Sequence, residues 1–154
     1  MNNKDSTVVE ETMKLMVNLA LDHGYRSNLL QPHLTKFLTI AQSTTNHNMA
    51  LKLLYMFSMD AKSRPGLASS GTPIILKLVL ENKGDKLSTE LGALFVNLAL
   101  DEQCALVIVN NGGFKFLMKK AIKTKDPILF KAIFNLIIAL SPSNTKINLL
   151  VSEI

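Results

Sequence analysis

The sequence predicts an all-α fold assembled from helical repeats, and the repeats themselves are the main observation. The hexapeptide VNLALD occurs at 17–22 and again at 96–101, and related hexapeptides stand at 55–60 and 134–139. Successive copies are 38, 41 and 38 residues apart. A period near 40 residues is typical of α-solenoids, in which similar helical units stack on one another. No segment shows the sustained period-two alternation of a strand, so no sheet is predicted.

Hydrophobic periodicity places three helices in each unit. Between Leu87 and Leu98, apolar residues recur at helical spacing and form a stripe on one face. The predicted long helices cover 8–21, 47–59, 87–100 and 127–140. The predicted short helices cover 24–30, 62–69, 102–110 and 144–152. The predicted medium helices cover 32–42, 73–82 and 114–123.

Local signals mark the expected breaks between these helices. Asp126 precedes Pro127, which is the pattern of an N-cap followed by proline in the first turn. Thr72-Pro73 repeats that pattern and predicts a helix start at 73. Gly71 and Gly112 follow short helices, where a left-handed residue commonly ends the helix.

Three helices per unit, with a short helix before a glycine, is the arrangement of armadillo repeats. The sequence therefore predicts an armadillo-type α-solenoid, a right-handed superhelix of about three and a half repeats. The predicted units are 8–46, 47–86, 87–126 and a partial 127–154, after a polar lead at 1–7. Because neither end carries a polar capping repeat, both ends are predicted to be uncapped, and we expect the chain to be an internal piece of a longer protein.

Composition narrows the class of protein. Hydrophobic residues make up 47% of the chain and charged residues 19%, which fits either a membrane protein or helices largely buried against neighbours. The longest apolar runs, 91–100 and 128–140, are shorter than the ~20 residues of a spanning helix, so no membrane insertion is predicted. The opening residues lack a signal-peptide pattern. The single Cys104 lies in an apolar run, which favours a buried packing role and a reducing compartment.

Three stretches carry a closer resemblance to a known family. LLYMFSMD at 53–60, VNLALD at 96–101 and NNGGFKFLMKKAIKTKDPILFKAIFNL at 110–136 resemble the middle armadillo region of kinesin-associated proteins. The last stretch matches the family pattern at Gly112, Lys115, Leu117, Met118, Lys119, Lys120, Ala121, Lys123, Lys125, Asp126 and Pro127. The Lys-Asp-Pro block is specific, whereas the VNLALD copies would suit many armadillo proteins. One departure is Ala139, which stands where the other units have Asp22, Asp60 and Asp101.

The resemblance implies a non-motor subunit of heterotrimeric kinesin, an adaptor or scaffold that links motor tails to cargo adaptors. It further implies a cytoplasmic, microtubule-associated location that includes cilia. Two alternatives stay open at this point. One is another armadillo scaffold, such as a catenin-like adhesion or signalling protein, and the other is a regulatory subunit of an enzyme complex.

Equivalent positions on the long helices are the first candidate binding residues. Asn18, Asn97 and Asn135 occupy the position that lines the groove in armadillo stacks, where asparagine can bind a peptide backbone, and Met56 interrupts the series. The alternative is that these amides satisfy local polar groups between helices.

Lysines stand four residues before three of these positions. Lys14, Lys52 and Lys131 share one helical face with the groove positions, and Ala93 breaks the series. The stripe predicts an acidic peptide or acidic helix as ligand, in keeping with the net charge of +5. The alternative is simple solvation of an exposed face.

A second basic surface is predicted on the medium helix at 114–123 and just after it. Its residues are Lys115, Lys119, Lys120, Lys123 and Lys125. A solvated face with lysine stems covering apolar surface is the plainer interpretation, and acidic cargo is the functional one. Nucleic acid is disfavoured because aromatic platforms other than Phe114 and Phe116 are missing.

Catalytic, metal and cofactor sites are not predicted. His23, His33 and His47 have no cysteine or carboxylate at metal-ligand spacing. Gly112-Gly113 precedes a helix without the Lys-Ser/Thr of a phosphate loop. An import-receptor armadillo protein would carry tryptophan before the groove asparagine, and the chain has no tryptophan.

Overall fold

The computed structural model describes residues 3–61 and 63–141, with side chains from Thr7 onward. Those ranges contain helices and no strand, so the fold is all-α as predicted. The nine α-helices described are α1 Asn3–Leu19, α2 His23–Leu30, α3 Leu34–Ala41, α4 His47–Ser58, α5 Arg64–Glu81, α6 Thr89–Leu100, α7 Glu102–Asn110, α8 Gly113–Thr124 and α9 Pro127–Leu140, and a 3₁₀ turn covers Gln31–His33.

Most predicted helices are confirmed within a few residues. The four long helices correspond to α1, α4, α6 and α9, although α1 begins at Asn3 rather than at residue 8. The short helices at 24–30 and 102–110 correspond to α2 and α7, and the medium ones at 32–42 and 114–123 to α3 and α8. The short helix predicted at 144–152 lies outside the described residues.

The predicted break at Gly71 and Thr72-Pro73 is wrong, because α5 runs without interruption through this segment. Pro73 cannot donate a backbone hydrogen bond to the carbonyl of Ser69, but Ser69 is exposed, so water can take that place. The Thr72 hydroxyl donates to the Leu67 carbonyl at 3.1 Å instead of capping a new helix. Gly71 serves packing, since a Cβ there would lie 2.8 Å from Leu67 Cδ2.

The other predicted boundary signals are confirmed. Gly112 has a φ of 67°, and this left-handed residue separates α7 from α8. Asp126 accepts a hydrogen bond from the N–H of Ile128, with Pro127 in the first turn of α9. Asp101 caps α7 in the same way, accepting from the N–H of Cys104 at 3.1 Å.

Long helices pack on one another in chain order. Helix α1 contacts α4, α4 contacts α6, and α6 contacts α9. Helix α5 packs against both α6 and α7, and α8 packs against α9. The side chains buried between them form one hydrophobic core, in which Phe57, Phe95 and Leu98 are almost fully enclosed. The groove positions therefore lie on adjacent helices.

No single one of the described helices is long and apolar enough to cross a bilayer. The pair α6 and α7 has a suitable combined length and composition, but the two helices are bent by 101° at their junction.

Cys104 is fully buried at the start of α7, as predicted. Burial raises the pKa of the Cys104 thiol to about 12, so both access and thiolate content are low. We expect iodoacetamide at pH 8 to label Cys104 in the folded chain roughly a hundredfold more slowly than in the urea-unfolded chain. A mass-spectrometric time course measures the labelling rate in each state. The labelling rate of free N-acetylcysteine, measured with and without the same concentration of urea, corrects for the effect of urea on the reaction itself. Similar rates in the two states would contradict burial of this thiol.

Candidate functional site

The exposed side of the long helices contains three neighbouring pockets. The first, of about 430 Å³, lies along α1 and α4 and is lined by Lys14, Val17, Asn18, Asn48, Met49, Lys52 and Glu90. Two further pockets, of about 290 and 270 Å³, share Tyr55 and Asn97 and form what we call the central groove between α4 and α6. The lining of the central groove also includes Thr89, Ala93, Val96, Ile128 and Lys131 at one end and Ser58, Met59, Arg64 and Leu100 at the other.

Five of the six predicted groove residues line these pockets. Lys14, Asn18 and Lys52 meet in the first pocket, and Asn97 and Lys131 in the central groove. Asn135 lies apart from them, because it is 9% exposed and packed beneath the surface. The repeat register thus brings the predicted residues together as two groups on one side of the helix stack.

Lys14 is the least available of the predicted cations. Its Nζ lies 2.8 Å from Glu10 Oε1 and 2.7 Å from Glu11 Oε1, one helical turn back. Hydrogen bonds to these two carboxylates raise the pKa of Lys14 well above its usual value. Since its charge is already compensated, the basic stripe reduces to the exposed Lys52 and Lys131.

The asparagine amides join one long helix to the preceding one. Asn97 Nδ2 donates to Ser58 Oγ at 3.1 Å, and Asn135 Nδ2 donates to the carbonyl of Val96 at 3.1 Å. This arrangement favours the alternative interpretation, in which the amides satisfy polar groups between helices. Asn97 is only half-buried and its amide also has a carbonyl oxygen, so it can still offer an acceptor to a ligand. Asn18 is exposed in the first pocket.

Arg64 is a groove residue that sequence reasoning missed. It is the first residue of α5, and its half-buried side chain lines the central groove beside Ser58 and Asn97. It lies on no long helix, so the repeat register gave no signal for it. The only hint was that Arg64, one of two arginines in a chain rich in lysine, stands directly before Pro65, and proline is common in the first turn of a helix.

Comparison with known proteins decides the family. The family model described as kinesin-associated protein (KAP) matches residues 1–154, which is the whole chain. The chain belongs to the kinesin-associated protein family. The resemblance noted in the sequence is thereby confirmed. No solved structure matches the chain significantly.

The Lys-Asp-Pro block that carries the KAP resemblance is a structural joint. Lys125 adopts a left-handed conformation with a φ of 54° and ends α8. The buried Asp126 carboxylate then accepts two backbone hydrogen bonds of 2.9 Å, from the N–H of Ile128 and from the N–H of Leu87. One side chain therefore caps α9 and ties it to the segment just before α6.

The second basic surface divides into two parts. Lys120 Nζ donates to the carbonyls of Leu80 and Asn82 at 3.4 and 2.5 Å, so it holds the end of α5. The others, Lys115, Lys119, Lys123 and Lys125, are exposed. They share the outer side of α8 with the exposed Phe116 and Ile122. The binding of acidic partners to this KAP surface stays a prediction.

No group of three or more His, Cys, Asp or Glu side chains that could hold a metal ion occurs in the described parts of the chain. What the described KAP helices do offer is a grooved surface with amide, apolar and cationic groups, which suits recognition of a protein segment.

Proposed function

We propose that the chain is an armadillo-type stack, a right-handed superhelix whose groove binds segments of other proteins. In this proposal it forms part of the non-motor accessory subunit of heterotrimeric kinesin and links the motor tails to cargo adaptors. Membership of the kinesin-associated protein family supports the kinesin connection. The serial packing of α1, α4, α6 and α9 supports the stacked arrangement.

One observation carries the binding proposal. Two exposed lysines, Lys52 and Lys131, stand at equivalent positions of different units, and each lines a pocket on the same side of the stack. The pockets combine apolar walls, such as Val17 and Val96, with amide groups. An acidic, partly apolar peptide or helix complements such a surface in both charge and hydrophobicity. The site of action would be the cytoplasm, on microtubules and in cilia, where such motors carry cargo.

Charge reversal in the groove tests this proposal. In Lys52→Glu/Lys131→Glu, we expect the association rate constant with the paired motor tails to fall about tenfold at low salt, because steering by the groove is reversed. The rate should also lose most of its dependence on ionic strength. Lys14 is left unchanged because Glu10 and Glu11 already neutralise it. Stopped-flow measurements at several salt concentrations give both quantities.

A matched variant separates steering by the groove from the effect of net charge. Lys36→Glu/Lys83→Glu changes the total charge by the same amount at two exposed positions, on α3 and after α5, that line neither groove pocket. This variant should retain the wild-type rate within about twofold. If both double variants slow association equally, or if neither does, the groove is not the binding surface.

A further inference from the structure

We propose that Arg64 is the anchor of the central groove and binds a carboxylate of the protein segment that occupies it. Arg64 lies at the end of the groove where α4 and α6 finish and α5 begins. Lys131 lines the opposite end. The proposal rests on the proposed function in so far as a protein segment is the occupant.

The hydrogen-bonding state of the guanidinium is the first argument. Arg64 Nε is shielded from solvent and has no hydrogen-bond partner in the part of the chain that the structure describes. A buried N–H that remains unpaired destabilises a protein, and the penalty is larger for a charged group. No ion pair joins Arg64 to a carboxylate within residues 3–61 and 63–141. Because Nε is shielded, a ligand acceptor reaches it only when the Arg64 side chain turns toward the groove, and the bond formed there would remove this penalty.

The surroundings of Arg64 indicate the chemistry of that ligand. Met59 and Leu100 border the pocket and are 46% and 49% exposed, so an apolar side chain can pack there. Asn97 adds a side-chain carbonyl oxygen that can accept from a peptide N–H. The Ser58 hydroxyl is buried and already bonded to Tyr55 and Asn97. Neither pocket of the central groove is lined by a described Asp or Glu. The occupant that fits is an extended segment in which Asp or Glu is flanked by apolar residues.

The fork geometry of arginine gives the proposal a specific signature. A guanidinium can donate two parallel N–H bonds to one carboxylate, with Nε contributing one of them, whereas a lysine ammonium acts as a point charge. A side chain at position 64 that keeps the positive charge but lacks the two parallel N–H donors should therefore give only part of the binding affinity. Lysine at position 64 is the variant that distinguishes the fork from simple charge.

The first experiment observes Arg64 directly and does not depend on the motor tails. The probe is the blocked pentapeptide acetyl-Ala-Leu-Glu-Leu-Ala-amide, titrated into the full 154-residue chain, with its Glu→Gln counterpart as control. We expect the Glu peptide to shift the side-chain Nε–H resonance of Arg64 downfield and to saturate at millimolar concentration, while the Gln peptide leaves it in place. Equal shifts with both peptides, or no shift with either, overturn the proposal.

Variants and the motor tails complete the test. Arg64→Gln should weaken binding of the Glu peptide at least tenfold, Arg64→Lys about threefold, and Lys77→Gln, on the same helix but outside the central groove, not at all. The same three variants are then titrated with the paired motor tails. A Glu-specific shift at Arg64 with no binding of the tails retains the anchor and rejects the proposed function. Tail binding that is lost in Lys52→Glu/Lys131→Glu but unchanged in Arg64→Gln retains the proposed function and rejects the anchor.

Discussion

Replacing Asp126 with alanine is expected to lower the free energy of unfolding by about 3 kcal/mol. The variant loses the N-cap of α9, which is worth about 1 kcal/mol. It also leaves the N–H of Leu87 without its buried acceptor, and a hydrogen bond to a charged group contributes about 1.5–3 kcal/mol. Urea unfolding of the 154-residue chain, followed by circular dichroism, measures the change. For a chain of this size the melting temperature should fall by roughly 6–12 °C.

Asp101→Ala is the matched control. Asp101 also caps a helix, but its carboxylate accepts from one backbone N–H, that of Cys104, and it is less buried. Its removal should lower the free energy of unfolding by about 1 kcal/mol. Asp126→Asn should fall between the two alanine variants, because an amide has one acceptor oxygen for two N–H donors. Equal losses in Asp126→Ala and Asp101→Ala would show that the bond to Leu87 contributes little.

The joint at Asp126 belongs to a wider set of polar contacts between segments 38 or 39 residues apart in the chain. Asp126 meets Leu87 across 39 residues, and Asn97 meets Ser58 across the same separation. Lys120 reaches the carbonyl of Asn82 across 38 residues. These separations are close to the spacings of 38 and 41 residues between the repeated hexapeptides, which is the relation that the proposed stacking of similar units would produce. The polar contacts fix how the packed helices align with one another, because each contact needs one specific partner, whereas the apolar core tolerates small shifts.

Features with a period of many residues could be predicted from the sequence. The four long helices and the helix type of the whole fold follow from hydrophobic spacing that recurs in every unit. A helix end that is indicated only by local residues is harder to predict. At Gly71 and Pro73, tertiary packing of α5 against α6 and α7 stabilises one continuous helix in spite of residues that usually end one.

The candidate site was only partly predictable for a related reason. The register placed Lys52, Asn97 and Lys131 on one side of the stack, where the structure has them. The pairing of Lys14 with Glu10 and Glu11 was within reach of sequence reasoning, since Lys14 stands four residues after Glu10 and three after Glu11. The hydrogen bond from Asn97 to Ser58 could not be predicted from the sequence, because it depends on how α6 packs against α4. Arg64 lies on α5 and not on a long helix, so only the three-dimensional structure shows that it lines the groove.

Leu98→Ala is expected to have the largest effect on the core, lowering the free energy of unfolding by about 2–5 kcal/mol. Leu98 is fully buried on α6, which contacts α4, α5, α7 and α9, so a cavity there removes contacts within a central element. The matched control is Leu100→Ala, two residues further along α6, whose side chain is 49% exposed and should cost less than about 1 kcal/mol.

The comparison of these two variants tests the assignment of helix faces and therefore the whole repeat register. Both remove the same atoms from the last turn of the same helix, so the changes in helix propensity are small and burial is the main difference. Guanidinium unfolding of each variant, analysed with a common slope, gives the difference in free energy of unfolding. A loss below about 1 kcal/mol for Leu98→Ala, or equal losses for both variants, would mean that the stripe recurring along the long helices does not face the shared core. In that case the placement of Lys52, Asn97 and Lys131 at the pockets would lose its basis in the repeat as well, because it follows from the same register.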